Sequence, residues 1–548
     1  MTFSPFSSLF RTSTIRKQKI VRPATSPKNP SVAATVPGAD EHQERTHAEI
    51  MVIITALMLA MLLAALDQTI VSTALPRIAS DLHGLSKYSW VATAYLLTSA
   101  ISTPLYGKIS DMFGRKKIFQ AAIIIFLVGS VLCGASQTMN QLIIFRGLQG
   151  IGAGGLIVLA MATVGDVVSP RERGKYQGYF GAVFAVSSVA GPLLGGLFTD
   201  HLSWRWVFYI NLPIGVFALI AIATRLHLPV KRAKHKIDFT GAGLLALSVA
   251  TLLLATVWGG IDYPWASIQI IGLFATSIIS AILFVIREHY AKEPIIPLEL
   301  FKESVFRVSS LLSFLVGMVM FGALIFLPEY QQLVRGDTAT KSGLMLLPLV
   351  GGLMVASITS GRLISKFGRY RIFPVIGTAL LPIAFWLFSH IAVGTSRVLL
   401  GVWMVVLGIG IGLVMPVLTL AVQNAVGRKY LGTATSVVTF FRSIGSSLGA
   451  AIFGAILTNR LAYHLDHTLP GHAGASVAKS LSSGAAGLKQ LSPNTVHTVL
   501  TAFASSFHDV FLFGIPFAIL AFITAQFLRE TPLKSSTRDE AAGEGLEL

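Results

Sequence analysis

The chain has 548 residues, 53% of them hydrophobic and only 12% charged, with a mean hydropathy of +0.70. Ordinary soluble proteins carry about 25% charged residues, so these values exclude a soluble enzyme, a disordered chain and a secreted scaffold; the single cysteine, Cys133, excludes an intramolecular disulfide. The formal charge of +18, from 43 Lys+Arg against 25 Asp+Glu, is on such a chain a question of which membrane face the cations occupy rather than a sign of nucleic acid.

Residues 1–49 are polar, basic and rich in Ser, Thr and Pro, with no acid before Asp40. They hold no apolar h-region, so they are not a secretory signal. They read as a disordered basic cytoplasmic tail, a transit peptide, or sequence upstream of a start at Met51. Fourteen apolar runs follow, at about 50–72, 88–107, 118–136, 140–165, 175–199, 205–225, 239–258, 266–286, 308–328, 343–361, 372–390, 398–421, 434–458 and 506–528. A helix of about 20 apolar residues crosses a bilayer. Strands are excluded because an open sheet edge leaves backbone groups unsatisfied in lipid.

With the N-terminus in the cytoplasm, most basic segments fall on one face. They are Lys108 with Arg115, Lys116 and Lys117; Arg171, Arg173 and Lys175; Lys231 to Lys236; Arg362, Lys366, Arg369 and Arg371; and Arg428 with Lys429. The asymmetry and the even span number place both termini inside. Trp90, Trp204, Trp206 and Trp265, near the outer ends, read as interfacial belt residues.

The chain repeats itself. Gly107-Lys-Ile-Ser-Asp-Met-Phe-Gly-Arg-Lys-Lys117 aligns with Gly361-Arg-Leu-Ile-Ser-Lys-Phe-Gly-Arg-Tyr-Arg371, and Gly174 has its counterpart in Gly432. The pattern predicts a parallel duplication: a tail to 49, a six-helix half over 50–226, two inserted helices with cytoplasmic linkers over 227–306, a six-helix half over 307–529 with an outer loop at 459–505, and a tail over 530–548. That outer loop is polar and weakly periodic, with room for a short helix only.

Few charges lie inside spans. Asp67 sits in the first, within Leu66-Asp67-Gln68-Thr69-Ile70-Val71-Ser72-Thr73-Ala74-Leu75-Pro76, and Arg146 in the fourth, within Arg146-Gly-Leu-Gln149-Gly150. A carboxylate at mid-bilayer costs at least ~2.5 kcal/mol on insertion scales, which makes function its default explanation. A structural pair with a neighbouring helix is the alternative. Guanidinium does not deprotonate, so Arg146 pairs, with Asp67 its natural partner, or lines a polar cavity. Helix-to-helix glue is the alternative. Gly150-Ile-Gly-Ala-Gly154-Gly155 matches G-x-G-x-x-G formally, but no strand precedes it, and close helix packing explains it better than a nucleotide. In the fifth span Gly191-Pro192-Leu-Leu-Gly195-Gly196 places a helix-bending proline among glycines that admit a close neighbour. Glu329, at the outer end of the ninth span, is a second proton site or an interface carboxylate. Arg442, in the thirteenth, is set to pair with substrate or a helix end. The histidines show no metal spacing.

These stretches, in order, resemble the motifs of the major facilitator superfamily, most of all its fourteen-span drug:proton antiporters, the EmrB/QacA-like group. Gly107, Asp111, Gly114, Arg115 and Lys116 are similar to the family's loop motif, which latches the two halves in the outward-open state. The Asp67 stretch resembles the Leu-Asp-x-Thr-Ile-Val-Asn-Val-Ala-Leu-Pro motif, with Ser72 and Thr73 replacing Asn and Val. Arg146 with Gln149 resembles Arg-x-x-Gln-Gly, whose arginine is implicated in the proton step. Gly191, Pro192, Gly195 and Gly196 resemble the antiporter motif, with Ser187 in place of a glycine. The resemblance implies an all-α integral membrane protein of the major facilitator fold, two six-helix halves plus two central helices. It also implies no enzyme and no cofactor, the proton gradient being the energy source. Its expected partners are amphipathic small molecules, protons and the bilayer, without nucleic acid. A periplasmic adaptor is in keeping with some relatives, though no residue here shows such contact. The expected setting is a bacterial inner membrane. The alternatives are a dedicated transporter of one solute, such as a siderophore or sugar, and a non-transporting receptor or scaffold.

Overall fold

The computed structural model describes residues 47–84, 87–226, 236–260, 262–468 and 493–533. The basic tail up to residue 46, most of the 227–236 linker and the end of the C-terminal tail lie outside the described residues. Those that are described form fourteen long helices and no strand. In chain order these are α1 His47–Asp81, α2 Tyr88–Phe113, α3 Arg115–Ala135, α4 Met139–Val167, α5 Pro170–His201, α6 Asn211–Arg225, α7 Phe239–Trp258, α8 Ile268–Tyr290, α9 Ser304–Leu333, α10 Leu347–Phe367, α11 Ile372–Phe388, α12 Arg397–Ala425, α13 Leu431–Thr468 and α14 Pro493–Gln526. Twelve are long and apolar enough to cross a membrane, α6 being counted with the turn before it as Trp206–Arg225, and α11, of 17 residues, is apolar but short. The remaining one, α2, carries Lys108, Asp111 and seven Ser and Thr. It packs mainly on α4 and α13, where Ser102, Thr103 and Asp111 find hydrogen-bond partners, so it tolerates that polarity. The protein is thus an all-α integral membrane protein with two six-helix halves, α1–α6 and α9–α14, and two helices, α7 and α8, between them.

Local chemistry fixes the ends. Thr138, Asp238, Ser267 and Ser396 each accept a backbone N–H of the first turn of α4, α7, α8 and α12. Gly114 alone separates α2 from α3, at φ +92°, and its repeat counterpart Gly368 ends α10 at φ +72°. Both copies use a glycine where a side chain would be strained. In α4 the glycines serve packing: a Cβ on Gly152 would lie 2.7 Å from Ala122 O of α3, and Gly150 and Gly154 seat against Tyr95 and Ser99 of α2. The inserted helices are joined by reciprocal bonds, Ser248 Oγ to Ser277 O at 3.0 Å and Ser277 Oγ to Ser248 O at 2.8 Å. The Glu288 carboxylate of α8 accepts the N–H groups of Ile295 and Ile296 at 3.1 and 2.9 Å. Those residues are buried with Phe306 and Leu431, so the insert is tied to the second half.

Two sequence expectations are corrected. The outer loop is shorter than 459–505, because α13 continues to Thr468 and α14 starts at Pro493. Asp509 of α14 holds Arg460 at 2.6 Å and His464 at 2.8 Å of α13, which stabilises the added turns. Trp204 is no belt residue. It is 4% exposed and packs edge-on to Phe208, with the Arg205 guanidinium 4.4 Å from its ring.

Beyond the end of α9, the buried Asp337 carboxylate pairs with Lys341 at 2.7 Å and Arg397 at 2.9 Å. The Lys341 ammonium first, and Arg397 with it, hold its carboxyl below the usual carboxylate range. A depressed folded-state value stabilises above the unfolded value of about 3.9 and is lost as pH falls through the lowered one. Both cations are partly exposed, so about 1 kcal/mol is at stake. Asp337→Asn is therefore expected to lower Tm at pH 7, and the gap to wild type is expected to close toward pH 3, as read by thermal unfolding in detergent. A gap that stays constant with pH would disprove the ion-pair contribution.

Candidate functional site

Asp67 and Arg146 meet in the interior of the first half. Asp67 is 0% and Arg146 2% exposed, and Arg146 Nη1 donates to Asp67 Oδ2 at 2.5 Å. The second oxygen, Oδ1, accepts from Gln149 Nε2 at 2.8 Å and Asn211 Nδ2 at 3.1 Å. Gln149, one turn along α4, also accepts from Arg146 Nη1 at 2.8 Å. Ser130 of α3 accepts from Gln149 and Asn211 at 3.2 and 3.0 Å and donates to Phe208 O at 2.9 Å. The Tyr95 ring of α2 lies 4.1 Å from the guanidinium carbon, a cation–π contact that adds to the pair. Side chains of α1, α2, α3, α4 and α6 thus converge on one carboxylate in a buried polar network. Opening it from one side leaves a charge unpaired, at a cost of about 3–5 kcal/mol.

Gly191 and Gly195 pack directly behind this pair. A Cβ on Gly195 would lie 2.8 Å from Ile70 O and 3.1 Å from Thr73 Cβ, and Gly191 seats against Thr69. Thr69 Oγ1 donates to Ser187 O at 2.9 Å. Gly196 departs from the expected packing role: its missing side chain would find nothing within 4 Å. Pro192 faces the second half, where a Cβ on Gly343 would lie 3.6 Å from its ring.

The 107–117 loop joins the halves on the basic face. Asp111 accepts from Gly432 N at 3.0 Å, Thr433 N at 2.7 Å and Thr433 Oγ1 at 2.8 Å, at the N-terminus of α13. A helix N-terminus favours a carboxylate through its unpaired N–H groups and dipole. Arg115 holds Asp111 at 2.8 Å and also pairs with Asp166. Gly107 permits the approach, since a Cβ there would lie 2.6 Å from Gly432 O. The repeat partners mirror this: a Cβ on Gly174 would lie 3.0 Å from Gly361 O. The position equivalent to Asp111 is Ser365, and there the charge runs the other way. Arg171 donates to Ser365 O at 3.0 Å and Lys366 O at 3.1 Å. Between the two contacts, Gln423 donates to Met161 O at 3.0 Å and Arg173 to Gln423 O at 3.2 Å. The halves are therefore closed against each other on the basic face. Lys116 is half-exposed and forms no ion pair among the described residues.

Glu329 is half-buried, four residues from the end of α9, and no hydrogen bond or ion pair of it is found among the described residues. Arg442 is half-buried on α13, and its Nη1 has Met415 Sδ at 3.9 Å. Neither joins the Asp67 network. That network contains three residues the motifs do not name, Asn211, Ser130 and Tyr95. Asn211 carried a signal, being an amide inside an apolar span, which must find a partner in lipid.

Two six-helix halves, closed against each other on the basic face, with a buried ion pair inside the first, have the architecture of a membrane carrier. Residues 57–450 match the Major Facilitator Superfamily, and the chain belongs to this family. It is 44% identical over 482 residues to an uncharacterised MFS-type transporter of Mycobacterium tuberculosis, across 88% of this chain and 70% of that protein. It is 40% identical over 513 residues to the multidrug transporter protein MdtP of Bacillus subtilis, across 89% and 94%. Among solved structures, the human organic anion transporter MFSD10 superposes with a TM-score of 0.61 at 17% identity, covering 87% of this chain and 99% of that one, a likeness of fold alone. The protein is a multi-pass membrane transporter, not an enzyme.

Proposed function

We propose that the chain exports amphipathic drugs or metabolites in exchange for protons, by alternating access in a bacterial inner membrane with both termini cytoplasmic. The observation that carries this reading is the sealed Asp67–Arg146 pair, with Gln149 and Asn211 on the same carboxylate. A scaffold has no use for such a charge pair in lipid, whereas a carrier can use it as a switch. Proton uptake on Asp67 removes one charge and frees Arg146, and Gly191 and Gly195 let α5 move against α1 at that point. The relatives at 40–44% identity, one of them a multidrug transporter by name, support export over uptake.

In the proposed cycle the outward-open state takes a proton on Asp67 and releases substrate. The inward-open state loses the proton and reloads. The Asp111 and Arg171 contacts hold the basic face shut in the first of these. One charge crossing about 100 mV supplies about 2.3 kcal/mol, enough for a concentration ratio of about fifty for a neutral solute.

The test is a susceptibility panel on cells expressing the protein, with flux in proteoliposomes under an imposed pH gradient. Raised tolerance to several unrelated amphipathic compounds and gradient-dependent flux are expected. Saturable transport of one nutrient with no shift in tolerance would instead establish a dedicated carrier. Arg146→Ala is expected to lose turnover while keeping substrate binding, and pumping at the wild-type rate would show that the arginine is structural.

A further inference from the structure

Arg442, half-buried, stands apart from the buried arginines described. Arg115, Arg146 and Arg173 each have carboxylate, amide or carbonyl partners. Among the described residues Arg442 has one polar contact, the Met415 sulfur at 3.9 Å. A guanidinium offers five N–H donors and stays charged. A thioether is a weak acceptor and carries no charge.

Its place is deep. Arg442 lies eleven residues past Leu431, the start of α13, or about 17 Å along the axis at 1.5 Å per residue. That is near the middle of a hydrocarbon layer about 30 Å thick. A cation at this depth faces a partner or a polar cavity. The protein holds it by its stem: a Cβ on Gly317 of α9 would lie 3.2 Å from Arg442 Cγ, so this glycine makes room for the methylenes. The head points to Met415 of α12 and stays half-buried. The nearby carboxylates are committed or distant. Asp67 is saturated by Arg146, Gln149 and Asn211. Glu329 is twelve residues beyond Gly317 on α9, or about 18 Å further along the axis.

We propose that Arg442 is a recognition point for an anionic group, a carboxylate or sulfonate, on an amphipathic solute carried between the halves. The proposal rests on the export reading only for the solute being amphipathic. It adds that the solute's charged end is negative and docks on the second half, away from the proton pair on the first. Met415 beside the guanidinium supplies a soft apolar wall for the solute's body.

Equilibrium binding without any gradient tests it, so a failure of proton coupling leaves the result readable. The full chain in phosphatidylcholine nanodiscs is titrated with two pyrene probes, one a butanoate and one a butyl-trimethylammonium, followed by tryptophan-to-pyrene energy transfer against empty discs. Wild type is expected to bind the butanoate. R442Q is expected to weaken it by about tenfold or more, the effect of losing a charge-assisted bond, with little change for the ammonium probe. R442K retains most of the anion binding. Met415→Glu is the second variant and does not depend on R442Q folding: it gives the guanidinium an internal carboxylate and is expected to suppress butanoate binding. Asp67→Asn keeps the anion preference. Butanoate binding no better than to empty discs, equal loss of both probes in R442Q, or wild-type binding in Met415→Glu would overturn the proposal. So would displacement of the probe by added phosphatidylglycerol, which would assign the arginine to a lipid headgroup.

Discussion

Asp67→Asn is expected to abolish gradient-driven transport while leaving the protein inserted and folded, with a lowered Tm. The amide keeps an acceptor for Gln149 and Asn211, but Arg146 loses its counter-charge in a site that is 0% exposed at Asp67. An uncompensated buried charge costs about 3–5 kcal/mol, a large part of the 5–15 kcal/mol typical of a native protein. The double variant Asp67→Asn/Arg146→Gln removes both charges and is expected to be more stable than the Asp67→Asn single variant, yet equally uncoupled. Thermal unfolding of the four proteins in the cycle gives the coupling energy. Additive losses would show that the two residues do not act as a pair, and retained gradient-driven transport in Asp67→Asn would remove it from the proton path.

The second large effect is expected at the latch. Asp111 satisfies two backbone N–H groups and a hydroxyl of the second half, and hydrogen bonds to a charged group are worth about 1.5–3 kcal/mol each. Asp111→Ala removes them together and leaves Arg115 with Asp166 as its one carboxylate among the described residues. A change of about 3 kcal/mol or more moves a two-state equilibrium over a hundredfold. In a Cys133→Ala background, spin labels at Lys117 on α3 and Arg362 on α10, both exposed, report the separation of the halves on this face. Wild type is expected to show one short distance, and Asp111→Ala a dominant longer one. An unchanged distribution would show that the Arg171 and Gln423 contacts suffice to keep the face shut.

Much of this architecture was legible in the sequence, because lipid enforces a simple rule. Each of the fourteen apolar runs became a helix, since no other element satisfies its own backbone there. The repeat was legible too, and it meant more than its spacing showed: Gly107 meets Gly432 and Gly361 meets Gly174, so the aligned residues are the interface itself. The Asp67–Arg146 contact followed from charge, the two being expensive alone. Helix ends were harder to read. Residues beyond the hydrocarbon layer lose the apolar signal while the helix continues, as in α13 and α14. Two neutral members of the site were also concealed. Ser130 and Tyr95 are ordinary residues until packing brings α2 and α3 to the carboxylate, and of the three only Asn211, an amide in an apolar span, carried a signal. Gly196 shows the reverse: it sits in a motif-like pattern, yet a Cβ there would meet nothing within 4 Å.

Proton movement in step with substrate is the direct test of exchange through Asp67. The protein is reconstituted in acid-loaded proteoliposomes with a lumenal pH dye, its basic face outward, and a substrate from the susceptibility panel is added outside. Wild type is expected to accumulate the compound and alkalinise the lumen together, and Asp67→Asn to do neither. Accumulation by wild type with no change in lumenal pH would contradict proton exchange through Asp67.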